Sequence, residues 1–148
     1  MNYATPRLRR DVTRLLAHEA GGVAANSAAL AAAAGRLLDR LTERLSVVIA
    51  GAGVEAIFRR AVMLRKPGVP FLDEGLFSRA KDESTGDALR ARLQGQGPDV
   101  IREVSVTLLA TMAGLLVTVI GERLAWSLLR EIWPEALRVE VELQETHE

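Results

Sequence analysis

Residues Ile101 to Trp133 read IREVSVTLLATMAGLLVTVIGERLAWSLLREIW, and most of this segment is apolar. The 18 residues from Val104 to Gly121 carry no charge, and leucine and alanine, which favour helix, are frequent. A helix that is apolar on every side must be buried on every side. The stretch therefore predicts a central bundle helix over 98–133, ended by Pro134.

Small residues recur along this predicted helix at alternating steps of four and three. They form a seam at heptad spacing: Thr107, Thr111, Gly114, Thr118, Gly121 and Ala125. Small side chains at this spacing let another helix approach closely. The seam predicts tight helix packing, and we expect it to lie in the shared core of a homodimer.

The same stretch reaches the lower length limit of a membrane-spanning helix, so a span at 104–121 is an alternative. Against a span, the segment contains three threonines, one serine and two glycines, and its charged flanks show no asymmetry. The favoured interpretation is a buried helix of a soluble bundle. Because only one other long helix is predicted to cover it, we expect a second subunit to complete the bundle.

The chain before this stretch also has helical spacing. Thr5 and Pro6 are typical of a helix start, and the first helix is predicted over 6–20, with a stop at Gly21 and Gly22. Apolar spacing then predicts helix over 27–65, as one helix or as two joined near 46–53. Small residues near that join would let another backbone approach there: Gly51, Ala52, Gly53 and Ala56.

Glycines and prolines break the chain between 67 and 98, and within this connector Ser84 and Asp87 predict a capped helix that runs through Leu93. The fold class is therefore all-α, a helical bundle built on two long antiparallel helices at 27–65 and 98–133. A single domain is expected over 1–134. The acidic tail at 135–148 is expected to be flexible or a short strand, since Val139, Val141 and Leu143 alternate with charge.

Composition excludes several classes of protein. The chain has 148 residues, 49% of them hydrophobic and 4% aromatic, and no cysteine. Without cysteine there are no disulfides, thiol nucleophiles or cysteine-ligated metal centres. Nineteen basic and nineteen acidic residues balance, so no nucleic-acid partner is expected, and a cytoplasmic location fits.

Two histidines occur, and His18 is the one outside the tail, in the stretch AHEAGGVAAN at 17–26. This stretch resembles the signature of histidine phosphotransfer domains through His18 and the small or polar residues Gly22, Ala24, Ala25 and Asn26. Gly21 stands where that family has a lysine. The resemblance implies a phosphorylated histidine on a bundle helix, and His18 is therefore the candidate phosphoacceptor of an alternative function.

Other catalytic patterns are absent from the sequence. There is no GxSxG, no P-loop and no HExxH, and no Glu-x-x-His pair that a di-metal bundle needs. We therefore expect no cofactor, no metal and no enzymatic activity.

Two tryptophans, Trp126 and Trp133, lie seven residues apart with Leu129 between them. Such rings fill a core or, where they are exposed, dominate a docking surface. The segment IGERLAWSLLREIWPE at 120–135 is similar to small all-helical modules of bacterial signalling proteins of unassigned function. The favoured function is thus a non-enzymatic regulatory or protein-interaction module, in which an unidentified protein partner contacts the basic N-terminal face or the tryptophan end.

Overall fold

The computed structural model describes residues 3–22, 25–72, 76 and 82–133, and every regular element in these residues is a helix. The all-α prediction is confirmed. The six α-helices are α1 (Pro6–Ala20), α2 (Ser27–Val48), α3 (Gly51–Arg65), α4 (Thr85–Leu93), α5 (Pro98–Ile120) and α6 (Glu122–Ile132), with a 3₁₀ turn at Lys66–Gly68. The predictions for Pro134 and for the tail at 135–148 lie outside the described residues.

Helix ends follow the capping residues in the sequence. The Thr5 hydroxyl accepts a hydrogen bond from the Leu8 N–H, and Pro6 occupies the first turn of α1. At the other end Gly21 is left-handed at φ 96°, and its N–H donates to the His18 carbonyl. Ser84 begins α4 with the predicted capping box to Asp87.

Each of the two long helices predicted over 27–65 and 98–133 is divided in two. For residues 27–65 the sequence allowed one helix or two, and the structure has two. Ile49 and Ala50 are not helical and separate α2 from α3. The prediction of one continuous helix over 98–133 is wrong because Gly121 adopts φ 89° and ψ 157°, a conformation that glycine alone tolerates readily. Hydrophobic periodicity misses this break because the apolar pattern continues on both sides of it.

Helix α5 lies at the centre of the fold. It contacts α1, α2, α3 and α6, and it is buried without interruption from Val104 to Leu116. The cover over 104–116 that the sequence assigns to a second subunit therefore comes from four helices of the same chain. One helix in the described residues, α5, is long and apolar enough to cross a membrane, and 72% of its apolar window is buried inside the fold.

The packing partners show how the helices run. Gly53 of α3 lies near Val119 of α5, whereas Arg65 at the other end of α3 lies near Thr107. These two helices are therefore antiparallel, and each end of their interface opens to solvent at a different cavity.

Candidate functional site

His18 is exposed in the last turn of α1. Along the stretch that resembles the phosphotransfer signature, the helix ends at Ala20, Gly22 follows in a turn, and Asn26 caps α2. Ala24 lies outside the described residues. The matched residues are thus spread over a helix end, a turn and a cap, and the role of His18 as phosphoacceptor stays a prediction.

The first half of the small-residue seam packs against the N-terminal segment of the same chain. A Cβ atom on Gly114 would overlap the carbonyl of Tyr3, so glycine is required for this close approach. Farther along, the Arg9 guanidinium donates a 3.4 Å hydrogen bond to the Thr107 hydroxyl. Thr111 is also buried, and its hydroxyl donates to the carbonyl of Thr107 one turn earlier, which explains how threonine is tolerated there.

The second half of the seam separates from the first. Thr118 is exposed, Gly121 is the break between α5 and α6, and Ala125 is buried in α6. The six seam residues therefore do not line one continuous groove.

The tryptophan end of the chain belongs largely to the core. Leu129 and Trp133 are 1% and 4% exposed, and Trp126 is half-buried under the Arg7 guanidinium, which lies 4.4 Å from the ring centroid. Buried rings of this kind stabilise the packing of α6 and offer little surface to a partner.

Two carboxylates join α1 to its neighbours. Partial burial acts to raise the pKa of Glu19, but hydrogen bonds and charge from Arg36 and Arg40 together hold that pKa below its usual value. A 2.8 Å hydrogen bond from Arg9 likewise lowers the pKa of Glu103 against the smaller effect of burial. Both carboxylates therefore form ion pairs that connect one helix to another.

A third carboxylate, Asp39 of α2, caps the N-terminus of α4. It accepts 2.8 Å hydrogen bonds from the Ser84 hydroxyl and from the Gly86 N–H. The backbones of α2 and α4 approach so closely here that a Cβ on Gly86 would overlap the carbonyl of Gly35. The negative charge of Asp39 thus lies at the N-terminus of α4, where it interacts favourably with the helix dipole. Its role is structural.

An open apolar groove lies between α3 and the C-terminal end of α5. Its volume is about 330 Å³, and its lining is almost entirely apolar: Ile49, Gly53, Ala56, Ile57, Arg60, Leu115 and Val119. We call this surface the α3–α5 groove. Gly53 and Ala56 belong to the run of small residues that the sequence marked as a place of close approach.

Exposed aliphatic side chains continue from the α3–α5 groove along the chain. Val119 is 61% exposed on its wall, and Val47 and Val48, directly before Ile49, are 82% and 46% exposed. Leu124, in the first turn of α6, is 52% exposed. Aliphatic side chains are thus exposed in the segments of the chain that lead into and out of the two helices of the groove.

A second cavity, of about 320 Å³, lies at the opposite end of the α3–α5 interface. Its lining is mixed: Leu64, Arg65, Gly68, Val69, Glu103, Val104 and Thr107. We call it the Arg65 pocket. Sequence reasoning missed it, since no motif surrounds Arg65 and the two walls are about forty residues apart in the chain.

Comparison with models of protein families, with curated proteins and with solved structures finds no match to this chain. In the described residues no three acidic or histidine side chains lie together in a way that could hold a metal ion.

Proposed function

We infer that the protein is a non-enzymatic helical interaction module that associates with a second copy of itself through the α3–α5 groove. The observation that carries this proposal is the pairing of an apolar concave groove with exposed aliphatic side chains next to it in the chain. As a regulatory module of the cytoplasm, it would act by helix packing, and other protein partners would contact the dimer.

A second copy is favoured because the surface contains both shapes that a symmetric contact needs. A two-fold interface presents the same patch on both subunits, so each must supply a ridge and a groove. Here the floor of the α3–α5 groove includes Gly53 and Ala56, while Val47 and Leu124 protrude into solvent. Each of these protruding side chains would contribute about 1.5–3 kcal/mol on full burial.

The charges around the surface also fit self-association. Arg60 lies on the groove wall, and Glu122 and Arg123 are exposed at the start of α6 beside Leu124. Acidic and basic groups around one apolar patch can pair across a two-fold axis, which a rim of a single sign could not do.

The chemistry of the charged groups supports a non-enzymatic role. Glu19, Glu103 and Asp39 are engaged in ion pairs or a helix cap, as described above. The predicted dimer seam at Thr107 and Gly114 is occupied by the chain's own N-terminal segment, which leaves the α3–α5 groove as the surface for a second copy.

The test compares Val119→Lys with Val100→Lys. Both valines are exposed and lie on α5, Val119 in the last turn and Val100 in the first. Lysine near a helix C-terminus is favourable and near an N-terminus slightly unfavourable, so helix stability cannot explain a loss of association by the first variant.

We expect the unaltered chain and Val100→Lys to be dimers in size-exclusion chromatography with light scattering, and Val119→Lys to be a monomer with an unchanged circular dichroism spectrum. A monomer for the unaltered chain at all concentrations, or equal dimerisation of both variants, would overturn the proposal. Recovery only in detergent would favour the membrane span at 104–121 instead.

A further inference from the structure

The Arg65 pocket holds a cation with no counter-charge among the described residues. The Nε atom of Arg65 is buried and makes no hydrogen bond. No described carboxylate forms an ion pair with this guanidinium, whereas Arg9, Arg36 and Arg40 each have a carboxylate partner. Burying a charge without a partner is costly, and an anion bound at this guanidinium would offset that cost.

The walls of the pocket define what the occupant would be. Leu64 and Val69 on one side and Val104 on the other provide apolar surface beside the guanidinium. A volume of about 320 Å³ is at the lower end of the range for small-molecule sites. The site therefore suits a small molecule with one anionic end and a short hydrocarbon body.

The acidic residue on the wall does not prevent an anion from binding. Glu103 is already held by the Arg9 guanidinium at 2.8 Å, and the Thr107 hydroxyl donates to the Glu103 backbone carbonyl at 2.7 Å. The Arg9 and Glu103 charges offset each other, so Arg65 leaves a net positive charge at the pocket.

We propose that the Arg65 pocket binds a short-chain monocarboxylate, with the carboxylate on the Arg65 guanidinium and the hydrocarbon chain against Leu64, Val69 and Val104. Arginine binds carboxylates through two parallel hydrogen bonds, which a planar guanidinium at a pocket wall can offer. This site is independent of the proposed dimer contact, because Thr107 and Val119 are about 18 Å apart along α5 at 1.5 Å per residue.

Hexanoate is the probe, and the readout is a proton–nitrogen NMR spectrum that includes the arginine Nε–H signals. A carboxylate at the guanidinium shifts the Arg65 Nε–H resonance, whereas a molecule bound elsewhere does not. The Arg65 signal is assigned by its disappearance in Arg65→Gln. We expect hexanoate to shift it in a saturable way, and acetate, hexanol and inorganic phosphate to bind at least tenfold more weakly.

The matched control is Arg14→Gln, which removes an exposed arginine of α1. We expect hexanoate to perturb the backbone signals of Leu64, Val69 and Val104 in this control as in the unaltered chain, and to leave them unmoved in Arg65→Gln. Equal perturbation in both variants would overturn the proposal, as would equal binding of hexanol or of phosphate. Perturbation confined to Gly53, Leu115 and Val119 would place the molecule in the α3–α5 groove and would also overturn it.

Discussion

Gly114 of α5 packs against the N-terminal segment, and Gly53 of α3 borders the α3–α5 groove, so the surroundings of the two glycines differ. At Gly114 the backbone of Tyr3 fills the space that a side chain would take. At Gly53 a Cβ would meet only the side chain of Ile49, at the ordinary contact distance of 3.6 Å. Gly114 thus lies at a closed contact of α5, whereas Gly53 borders an open groove beside the same helix.

This difference shows that small residues in a sequence do not by themselves identify a surface for a partner. The seam that contains Gly114 is used by the chain's own N-terminal segment, whereas the small residues of α3 border an open groove. What decides between the two is whether another part of the same chain reaches the small residue.

Gly114→Ala should have the largest effect. The added methyl group overlaps the Tyr3 carbonyl, which is backbone and cannot rotate away, so the N-terminal segment must move off α5. Overpacking of this kind costs about 1–3 kcal/mol, and loss of the Tyr3 contact puts the expected decrease in unfolding free energy near 3 kcal/mol. Chemical denaturation measures it.

Gly53→Ala is the matched control for Gly114→Ala. Its Cβ has room in the monomer, so the unfolding free energy should change by less than about 0.5 kcal/mol. If both variants lose stability equally, the distinction between a closed and an open contact is wrong.

Much of the local structure could be predicted from the sequence because single side chains determine it. Thr5, Asn26 and Ser84 each cap the helix that the sequence predicts after them. The cover of α5 could not be predicted, since it depends on α1, α2 and α3, which contact α5 from distant parts of the chain. Because the sequence predicts only one other long helix, a second subunit was expected to cover residues 104–116, which the chain itself buries.

Gly121→Ala should have the next largest effect. This glycine separates the buried part of the central helix from the start of α6, and its φ of 89° is strained for any residue with a side chain. No atom lies within 4 Å of an added Cβ, so the cost is conformational alone, about 1–3 kcal/mol. Thermal and chemical unfolding, followed by circular dichroism, measure it.

Gly51→Ala is the control for Gly121→Ala. It also has no atom within 4 Å of an added Cβ, but its φ is not in the left-handed region, so alanine should be neutral or slightly stabilising. A gain in both stability and helicity for Gly121→Ala would show that the continuous helix over 98–133 is the preferred form.

Candidate sites were harder to predict than helices. The sequence singled out His18 and the two tryptophans because those residue types carry chemistry or binding energy, yet the tryptophan end is largely buried. Arg65 escaped notice because arginine is common in this chain, and only its surroundings in the fold distinguish it. A pocket between distant segments leaves no local pattern in the sequence.

Asp39→Asn tests the close contact between α2 and α4, and its effect on stability should be smaller. The amide can still accept the Gly86 N–H, but it loses the negative charge at the N-terminus of α4 and the charge-assisted bond from Ser84. We expect a loss of about 1 kcal/mol in chemical denaturation at pH 7. The control is Glu43→Gln, an exposed acid one turn later on α2, for which the stability should be unchanged.

Glu19→Gln should have the smallest effect and should change mainly the pH dependence. Since the folded state lowers the pKa of Glu19 below its usual 4.5, the folded state binds protons less readily than the unfolded one. The ion pairs with Arg36 and Arg40 therefore stabilise the fold fully above about pH 5, and this contribution is lost as the pH falls through 4.5 and below the folded pKa. Unfolding midpoints measured from pH 7 to pH 3.5 should fall less steeply for Glu19→Gln than for the unaltered chain, while Glu43→Gln should keep the original slope. An unchanged slope in Glu19→Gln would mean that the contact between α1 and α2 is held by apolar packing alone.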